Sequence, residues 1–304
     1  DGRIHYLGMF GFEGDATPLR RSFFTDLTKA LYLEEEMEFE ALLSGLQTAF
    51  RQLCEGVDRP VILSNEHFVQ SQWSTTMPAP NTPGRTAMRL AKVFEGAEVS
   101  LMLALRRQDD LLRSMYLELF SRPNHANPDT YCSLQKYLDA CLDPADFHGK
   151  TYDFDQVLDA YQTAFPQAPI LTWTFEAFRD RQREILNQIA GFVGLGDEIP
   201  ACVSLPLGKQ NAKSNRGAAV RMARWSPLHR LIYAMPGGKA LANLGRRSSL
   251  IRTLSNSLKS RTFISALSPY EAETVLRRWA VSNTLLATRL PNLAEELRAE
   301  GYIQ

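Results

Sequence analysis

A positively charged side chain follows the most apolar stretch of the chain, and a hydroxyl stands a short way beyond it. Arg106 comes directly after residues 99–105, a nearly continuous apolar run that predicts a strand buried on both faces. Ligands of open α/β sheets bind at the carboxyl ends of strands, and Ser114 lies about two helical turns later. A guanidinium binds phosphate through two hydrogen bonds, and a hydroxyl adds a further donor. The pair therefore predicts a phosphate site, and the alternative is a helix-start arginine paired with Asp109 or Asp110.

The elements that must position this pair alternate along the chain. Short apolar runs predict strands, and these lie at residues 4–7, 61–64, 99–105 and 169–174. Apolar residues at helical spacing predict helices, which cover residues 25–55, 83–95, 109–120, 131–141, 154–165, 176–193, 271–290 and 292–300. Ser268 and Pro269 have the residue types of a helix N-cap and first helical position. Strands alternating with helices predict βαβ crossovers and a three-layer α/β domain.

Composition indicates an ordinary globular protein with one strongly basic segment. The chain has 304 residues, of which 44% are hydrophobic and 22% charged, and its formal net charge is zero. No Asp or Glu occurs between Ile199 and Tyr270, where lysines and arginines are frequent. Such a segment suits an anionic ligand, nucleic acid or an anionic membrane surface, and a solvated basic face without a ligand is the alternative. We expect contact of residues 209–261 with an anionic membrane surface. We expect no nucleic-acid partner.

Several common signatures are missing from the sequence. It contains no CxxC pair, GxSxG turn, HExxH helix or GxxxxGK[ST] loop, and its five histidines are scattered, so we expect no metal site. The four cysteines are single and favour reduced thiols, which predicts a cytoplasmic protein, with peripheral membrane contact as the alternative. No apolar run approaches the length of about 18–20 residues that spans a bilayer.

The motif around Arg106 resembles the 3′-phosphate-binding motif of sulfotransferases that use 3′-phosphoadenosine 5′-phosphosulfate (PAPS). In that motif a strand is followed by an arginine, seven further residues, a serine and then an aromatic residue. Arg106 and Ser114 match the arginine and the serine, and Tyr116 follows as in the family. The sequence Arg-Arg-Gln-Asp looks most like the bacterial and Golgi-type carbohydrate sulfotransferases. The resemblance implies PAPS as co-substrate and no metal.

Two further strands agree with the family in order and spacing. Residues 61–66 resemble the strand whose end presents the catalytic base, which implies Glu66 for that role and His67 as second choice. A helix-capping or ion-paired carboxylate is the alternative for Glu66. Trp73, in the following loop, is a candidate for stacking on a sugar or ring acceptor, with burial in the core as the alternative. Residues 171–176 and 189–195 are similar to a later strand and helix end, where we expect Glu176 to be structural.

The carboxyl-terminal third contains two more segments similar to the family. Residues 209–214 resemble the loop that closes over the nucleotide, and residues 282–286 resemble a carboxyl-terminal helix of the bacterial members. The resemblance implies a set of residues that hold the nucleotide or an anionic acceptor, namely Lys209, Asn211, Ser214 and Arg216. Together the matched segments cover most of the chain, and their common order carries the resemblance.

One departure from the family is large. The family begins with a strand and a Pro-Lys-x-Gly-Thr-Thr loop that holds the 5′-phosphosulfate, and nothing here matches that loop. Two explanations are open: the loop belongs to a segment that precedes this sequence, which we favour because the sequence opens inside the pattern, or the chain is a degenerate member. We expect these residues alone to bind PAPS poorly.

These observations lead to one fold prediction and three functional hypotheses. We predict a P-loop-like parallel sheet in three layers with a helical carboxyl-terminal portion. Residues 1–200 would form the nucleotide-binding core, and residues 201–304 the basic closing segment and last helices, packed on the same domain. The favoured function is transfer of a sulfuryl group from PAPS to a hydroxyl or amine, with a carbohydrate as the expected acceptor. The alternatives are a glycan- or membrane-surface-binding protein without activity, and another P-loop transferase or a kinase.

Overall fold

A computed structural model describes most of the chain. The described residues are 5–8, 17–65, 68–69, 82–120, 133–196, 220–224, 260–264 and 266–303. The strands are β1 His5–Gly8, β2 Val61–Ser64, β3 Leu101–Leu105, β4 Ile170–Thr174, β5 Val220–Arg224 and β6 Ser260–Ile264.

Helices make up most of the described structure. They are α1 Pro18–Leu31, α2 Glu36–Cys54, α3 Pro83–Val93, α4 Gln108–Phe120, α5 Leu134–Leu142, α6 Phe154–Ala164, α7 Phe175–Asp180, α8 Gln182–Phe192, α9 Pro269–Arg278, α10 Ala280–Arg289 and α11 Ala294–Ala299. Two 3-10 helices cover Phe147–Tyr152 and Pro291–Leu293. None of the helices in the described ranges is long and apolar enough to cross a membrane.

The strands form three separate pairs in the described part of the chain. β1 pairs with β2 and β3 pairs with β4, both in parallel, while β5 and β6 are antiparallel. Each parallel pair is joined by helices, α1 and α2 in the first and α4 to α6 in the second, as parallel strands require. The prediction of an α/β protein is thus confirmed only in part. The described structure is mostly helical, its parallel sheets are minimal, and it contains no phosphate-binding loop.

The amino-terminal core forms around one face of α1. Its buried apolar residues recur at helical spacing and therefore share a face. They are Phe23, Phe24, Leu27, Ala30 and Leu31. Leu7 of β1, Phe39 and Leu46 of α2, and Leu90 and Val93 of α3 pack in the same cluster. This packing holds the first strand pair against three helices.

The break between α1 and α2 has a tertiary cause. Arg89 of α3 is almost fully buried, and its Nη1 donates hydrogen bonds to the carbonyl oxygens of Ala30, Leu31 and Leu33 at 2.9, 3.2 and 2.8 Å. These bonds satisfy carbonyl groups that the end of a helix leaves without partners. The prediction of a single helix over residues 25–55 is therefore wrong, because α1 ends at Leu31.

Two other cores surround the second strand pair. Leu105, at the end of β3, packs with Leu286 of α10, Leu297 of α11 and Tyr302. A neighbouring cluster joins α4 to the carboxyl-terminal helices and is rich in aromatic side chains, with Tyr116, Tyr137, Tyr152 and Trp279 among its members. The second strand pair is therefore enclosed by the carboxyl-terminal helices.

Most predicted elements lie where the pattern placed them, with differences at helix breaks. Val61–Ser64 is a strand as predicted, and β1, β3 and β4 fall inside or overlap the predicted runs. The predicted helices over residues 176–193 and 271–290 are each divided, at Arg181 and at Trp279. Ser268 caps α9 in a reciprocal arrangement with Glu271, which confirms the predicted helix start. The pair β5–β6 was not predicted.

Candidate functional site

The carboxyl edge of the second strand pair carries the arginine on which the phosphate prediction rests. β3 and β4 run in parallel register, with Leu105 opposite Thr174. Arg106 is the first residue beyond β3, and Phe175 is the first residue beyond β4. Because parallel strands end at the same edge of a sheet, these two residues lie side by side at the end where α/β proteins bind ligands.

Arg106 lies on an aromatic ring. The carbon at the centre of its guanidinium is 4.9 Å from the centroid of the Phe175 ring, within the range of a cation–π contact. The Nε of Arg106 is buried and has no hydrogen-bond partner in the described ranges, and no described carboxylate forms an ion pair with this arginine. Within the described residues, the guanidinium of Arg106 is thus positioned by an aromatic ring and not by a carboxylate.

Arg107, and not Arg106, forms the ion pair with Asp109 that was the alternative prediction for Arg106. Nε and Nη2 of Arg107 donate to the two carboxylate oxygens of Asp109 at 2.7 and 2.9 Å, and the bond to Asp109 raises the pKa of Arg107 above its usual value. Nη1 of Arg107 also donates to the carbonyl oxygen of Glu300 at 3.3 Å. Pairing of Arg106 with Asp109 is thus wrong, because Arg107 makes that pair.

Ser114, the second residue of the predicted pair, is half-buried on α4. It lies six positions after Gln108, the first residue of the helix, which corresponds to about 9 Å along the helix axis. It forms no hydrogen bond with Arg106 within the described residues. A phosphate group that bound both side chains would therefore have to bridge them.

The residue before Ser114 brings a second positive charge to this neighbourhood. Arg113 is buried, and burial lowers the pKa of its guanidinium below the ordinary value. The negative charge of Asp110 opposes this shift, whereas the nearby positive charge of Arg106 adds to it. No role was predicted for Arg113 from the sequence. The signal that was available is an arginine on the apolar side of α4, next to Leu112 and three positions before Tyr116.

The residues on either side of Phe175 are buried and hydrogen-bonded. Thr174 Oγ1 donates to Glu296 at 2.7 Å and accepts a bond from the backbone N–H of Ala177 at 3.0 Å, which caps α7. Glu176 accepts a hydrogen bond from the hydroxyl of Tyr302 at 2.8 Å and one from the backbone N–H of Arg107 at 3.5 Å. These are the contacts of a structural carboxylate, as we expected for Glu176.

Burial of Tyr302 keeps its hydroxyl in the protonated, donating form. Burial raises the pKa of this hydroxyl, and the negative charge of Glu176 raises it further. The N–H of Arg107 and the hydroxyl of Tyr302 thus converge on the same buried carboxylate. This carboxylate links the end of β3, the end of β4 and the carboxyl terminus.

A pair of buried amides completes the support of the edge. Gln108, the first residue of α4, donates to Asn283 at 2.7 Å and accepts from it at 3.2 Å. Asn283 also donates to the backbone oxygen of Tyr302 at 2.9 Å. Both amides are fully buried. Residues 282–286, which resemble a family helix, therefore anchor the start of α4.

The remaining predicted site residues lie outside the described residues. These are Glu66, His67, Trp73, Lys209, Asn211, Ser214 and Arg216. The structure consequently neither brings them to Arg106 nor separates them from it. Between residues 199 and 265, the structure describes β5 and β6, whose register places Arg221 opposite Phe263 and Ala223 opposite Arg261.

The arrangement can bind an anion. Arg106 and Arg113 supply positive charge, the guanidinium of Arg106 has donors to offer, and Ser114 adds a hydroxyl on the same helix as Arg113. A search of protein-family models, curated proteins and solved structures returned no match to this chain. The function is therefore argued from the site and from the order of the motifs.

Proposed function

We propose that this protein is a PAPS-dependent sulfotransferase that transfers a sulfuryl group to a hydroxyl of a carbohydrate. The proposal is supported by the position of Arg106 directly after a parallel strand. No described carboxylate forms an ion pair with its guanidinium. In this proposal Arg106 and Ser114 bind the 3′-phosphate of the nucleotide. The same proposal assigns the two parallel strand pairs to one P-loop-like sheet in a three-layer fold.

The transfer step would use residues outside the edge just described. The acceptor hydroxyl attacks sulfur in line with the leaving 5′-phosphate, so that a sulfur–oxygen bond forms as the one to the leaving phosphate breaks. Glu66 would accept the proton of the acceptor hydroxyl, with His67 as second choice. Positive charge near the leaving phosphate stabilises the charge that develops on it, and Lys209 and Arg216 of the basic segment are the residues proposed to hold the nucleotide.

Binding of the product nucleotide tests the proposal without the need for an acceptor. Adenosine 3′,5′-bisphosphate is titrated into the protein and followed by ligand-observed saturation-transfer NMR, which detects weak complexes. We expect Arg106→Ala to weaken binding about 10- to 100-fold, because a hydrogen bond to a charged group contributes about 1.5–3 kcal/mol. Adenosine 5′-monophosphate, which lacks the 3′-phosphate, should bind the variant and the unchanged protein alike.

Arg183→Ala is the matched control. Arg183 is an exposed arginine on α8, so its removal changes the net charge by the same amount away from the edge. We expect its affinity for the bisphosphate to equal that of the unchanged protein. The proposal is overturned if the unchanged protein does not bind the bisphosphate, or if Arg106→Ala binds it as tightly as Arg183→Ala does.

A further inference from the structure

Phe175 is an exposed aromatic residue at a position where its neighbours are buried. The residue is 45% exposed, whereas Thr174 is 0% and Glu176 1% exposed. The exposed ring leaves apolar surface in contact with water. Packing of the core therefore does not explain its position. The ring lies against the guanidinium of Arg106.

The backbone on both sides of this contact is anchored. Thr174 and Glu176 hold Phe175 through Glu296 and Tyr302. On the other strand, the residues on either side of Arg106 are held as well. Leu105 is packed in the core, and Arg107 forms the two-bond pair with Asp109. The ring and the guanidinium therefore extend from two positions that the protein keeps in fixed relation.

The direct link between the two positions is the bond from the backbone N–H of Arg107 to Glu176 at 3.5 Å. A free arginine side chain has many rotamers, and binding a phosphate in one of them costs conformational entropy. A ring that already holds the guanidinium reduces that cost, which is the effect of preorganisation. The consequence is tighter binding of the anion without any contact between ring and ligand.

We infer that Phe175 is a positioning residue for the 3′-phosphate, which acts by holding the guanidinium of Arg106 in the orientation that binds the anion. The inference rests on the proposed function and extends it by one residue. Because Phe175 works through Arg106, its effect depends on two things, the presence of that arginine and the presence of a 3′-phosphate on the ligand.

The experiment uses Phe175→Leu, which removes the aromatic face, and Phe175→Trp, which keeps one. Affinities for adenosine 3′,5′-bisphosphate and adenosine 5′-monophosphate are measured by NMR titration. We expect the leucine variant to bind the bisphosphate about 3- to 10-fold more weakly, the range of a cation–π contact, and the monophosphate without change. The tryptophan variant should bind both ligands as the unchanged protein does.

A double variant shows whether the ring acts through the arginine. In the Arg106→Ala background, Phe175→Leu should cause no further loss of affinity for the bisphosphate. Circular dichroism and thermal unfolding of each variant establish that it is folded, which we expect because the ring is exposed.

Several outcomes would overturn the inference. One is an equal loss for both nucleotides, which would mean that the ring contacts the base or the ribose. Others are an unchanged affinity in the leucine variant, a tryptophan variant as weak as the leucine variant, or a further loss in the double variant. Failure of the proposed function looks different, because Arg106→Ala itself would then bind the bisphosphate normally.

Discussion

At the scale of single residues, two adjacent arginines have different roles that their type does not reveal. Arg107 binds Asp109 through two hydrogen bonds and reaches the backbone of Glu300, so its charge belongs to the structure. Arg106 lies over Phe175 and forms no ion pair with a carboxylate in the described part of the chain. The two guanidinium groups therefore lie against different partners, although their residues are adjacent in the sequence.

Another residue-scale feature has a measurable pH dependence. Glu36 accepts hydrogen bonds from Lys92 at 2.8 Å and from Arg89 at 3.0 Å. The bond from Lys92 lowers the pKa of the Glu36 carboxyl, which burial raises to a lesser extent, and Arg89 lowers it as well. A carboxyl whose pKa is lower in the folded than in the unfolded state stabilises the fold above its unfolded pKa.

We predict that Glu36→Gln lowers the free energy of unfolding at pH 7 and has no effect at strongly acid pH. The difference between the two proteins should shrink as the pH falls from the ordinary glutamate value through the lowered pKa of Glu36, because protonation then removes the same charge. Urea unfolding of both proteins at several pH values measures this difference in the free energy of unfolding. Glu38→Gln, in the same exposed turn, is the control, and a pH-independent difference for Glu36→Gln would contradict the prediction.

At the scale of elements, one glycine permits a close approach between two helices. A Cβ on Gly149, in the 3-10 helix Phe147–Tyr152, would lie 2.4 Å from the carbonyl oxygen of Cys141 on α5. Backbone atoms cannot move aside as the end of a flexible side chain can. Gly45 differs, because it is exposed in the middle of α2 and an added Cβ there meets nothing within 4 Å.

We predict opposite effects of the same substitution at these two glycines. Gly149→Ala should lower the free energy of unfolding by about 1–3 kcal/mol, as overpacking does. Gly45→Ala should raise it by about 0.5–1 kcal/mol, because alanine favours a helix interior. Chemical denaturation of both variants checks the pair. A Gly149→Ala protein as stable as Gly45→Ala would show that the two helices are not in this close contact.

At the scale of the whole molecule, the carboxyl-terminal residues support the edge at which β3 and β4 end. Asn283, Glu296, Glu300 and Tyr302 each bond to a residue near the ends of β3 or β4. More than a hundred positions of sequence separate these partners, so tertiary structure alone brings them together. Stability of the edge therefore depends on the carboxyl-terminal helices.

We predict that Asn283→Ala lowers the free energy of unfolding by about 1–3 kcal/mol. The substitution removes the amide that donates to the buried Oε1 of Gln108 and to the backbone oxygen of Tyr302, and a buried polar group that loses its partner costs about that amount. Thr284→Ala is the control, because Thr284 is exposed and its hydroxyl donates to the carbonyl oxygen of Ala280 within its own helix. An Asn283→Ala protein that unfolds at the same denaturant concentration as Thr284→Ala would contradict the prediction.

The candidate site at the carboxyl edge of β3 and β4 was predictable only in part. The apolar run before Arg106 and the spacing to Ser114 pointed to this edge, because strand burial and helix rise are local properties. The contact of Arg106 with Phe175 and the charge interaction with Arg113 were not predictable. Both depend on which strands pair and on how α4 is rotated, and neither is visible in the spacing of residues.

The amino-acid sequence by itself determined the elements of this protein and the order in which strands and helices alternate. Hydrophobic periodicity and capping residues such as Ser268 act within a few positions, so they can be recognised without knowledge of the fold. Only the tertiary structure decided where long helical patterns break, which of the two arginines pairs with Asp109, and how the carboxyl-terminal residues support the edge of β3 and β4. These features arise from contacts between residues that are distant in sequence, such as Arg89 with the end of α1. The free energy of such contacts cannot be deduced from a local sequence pattern.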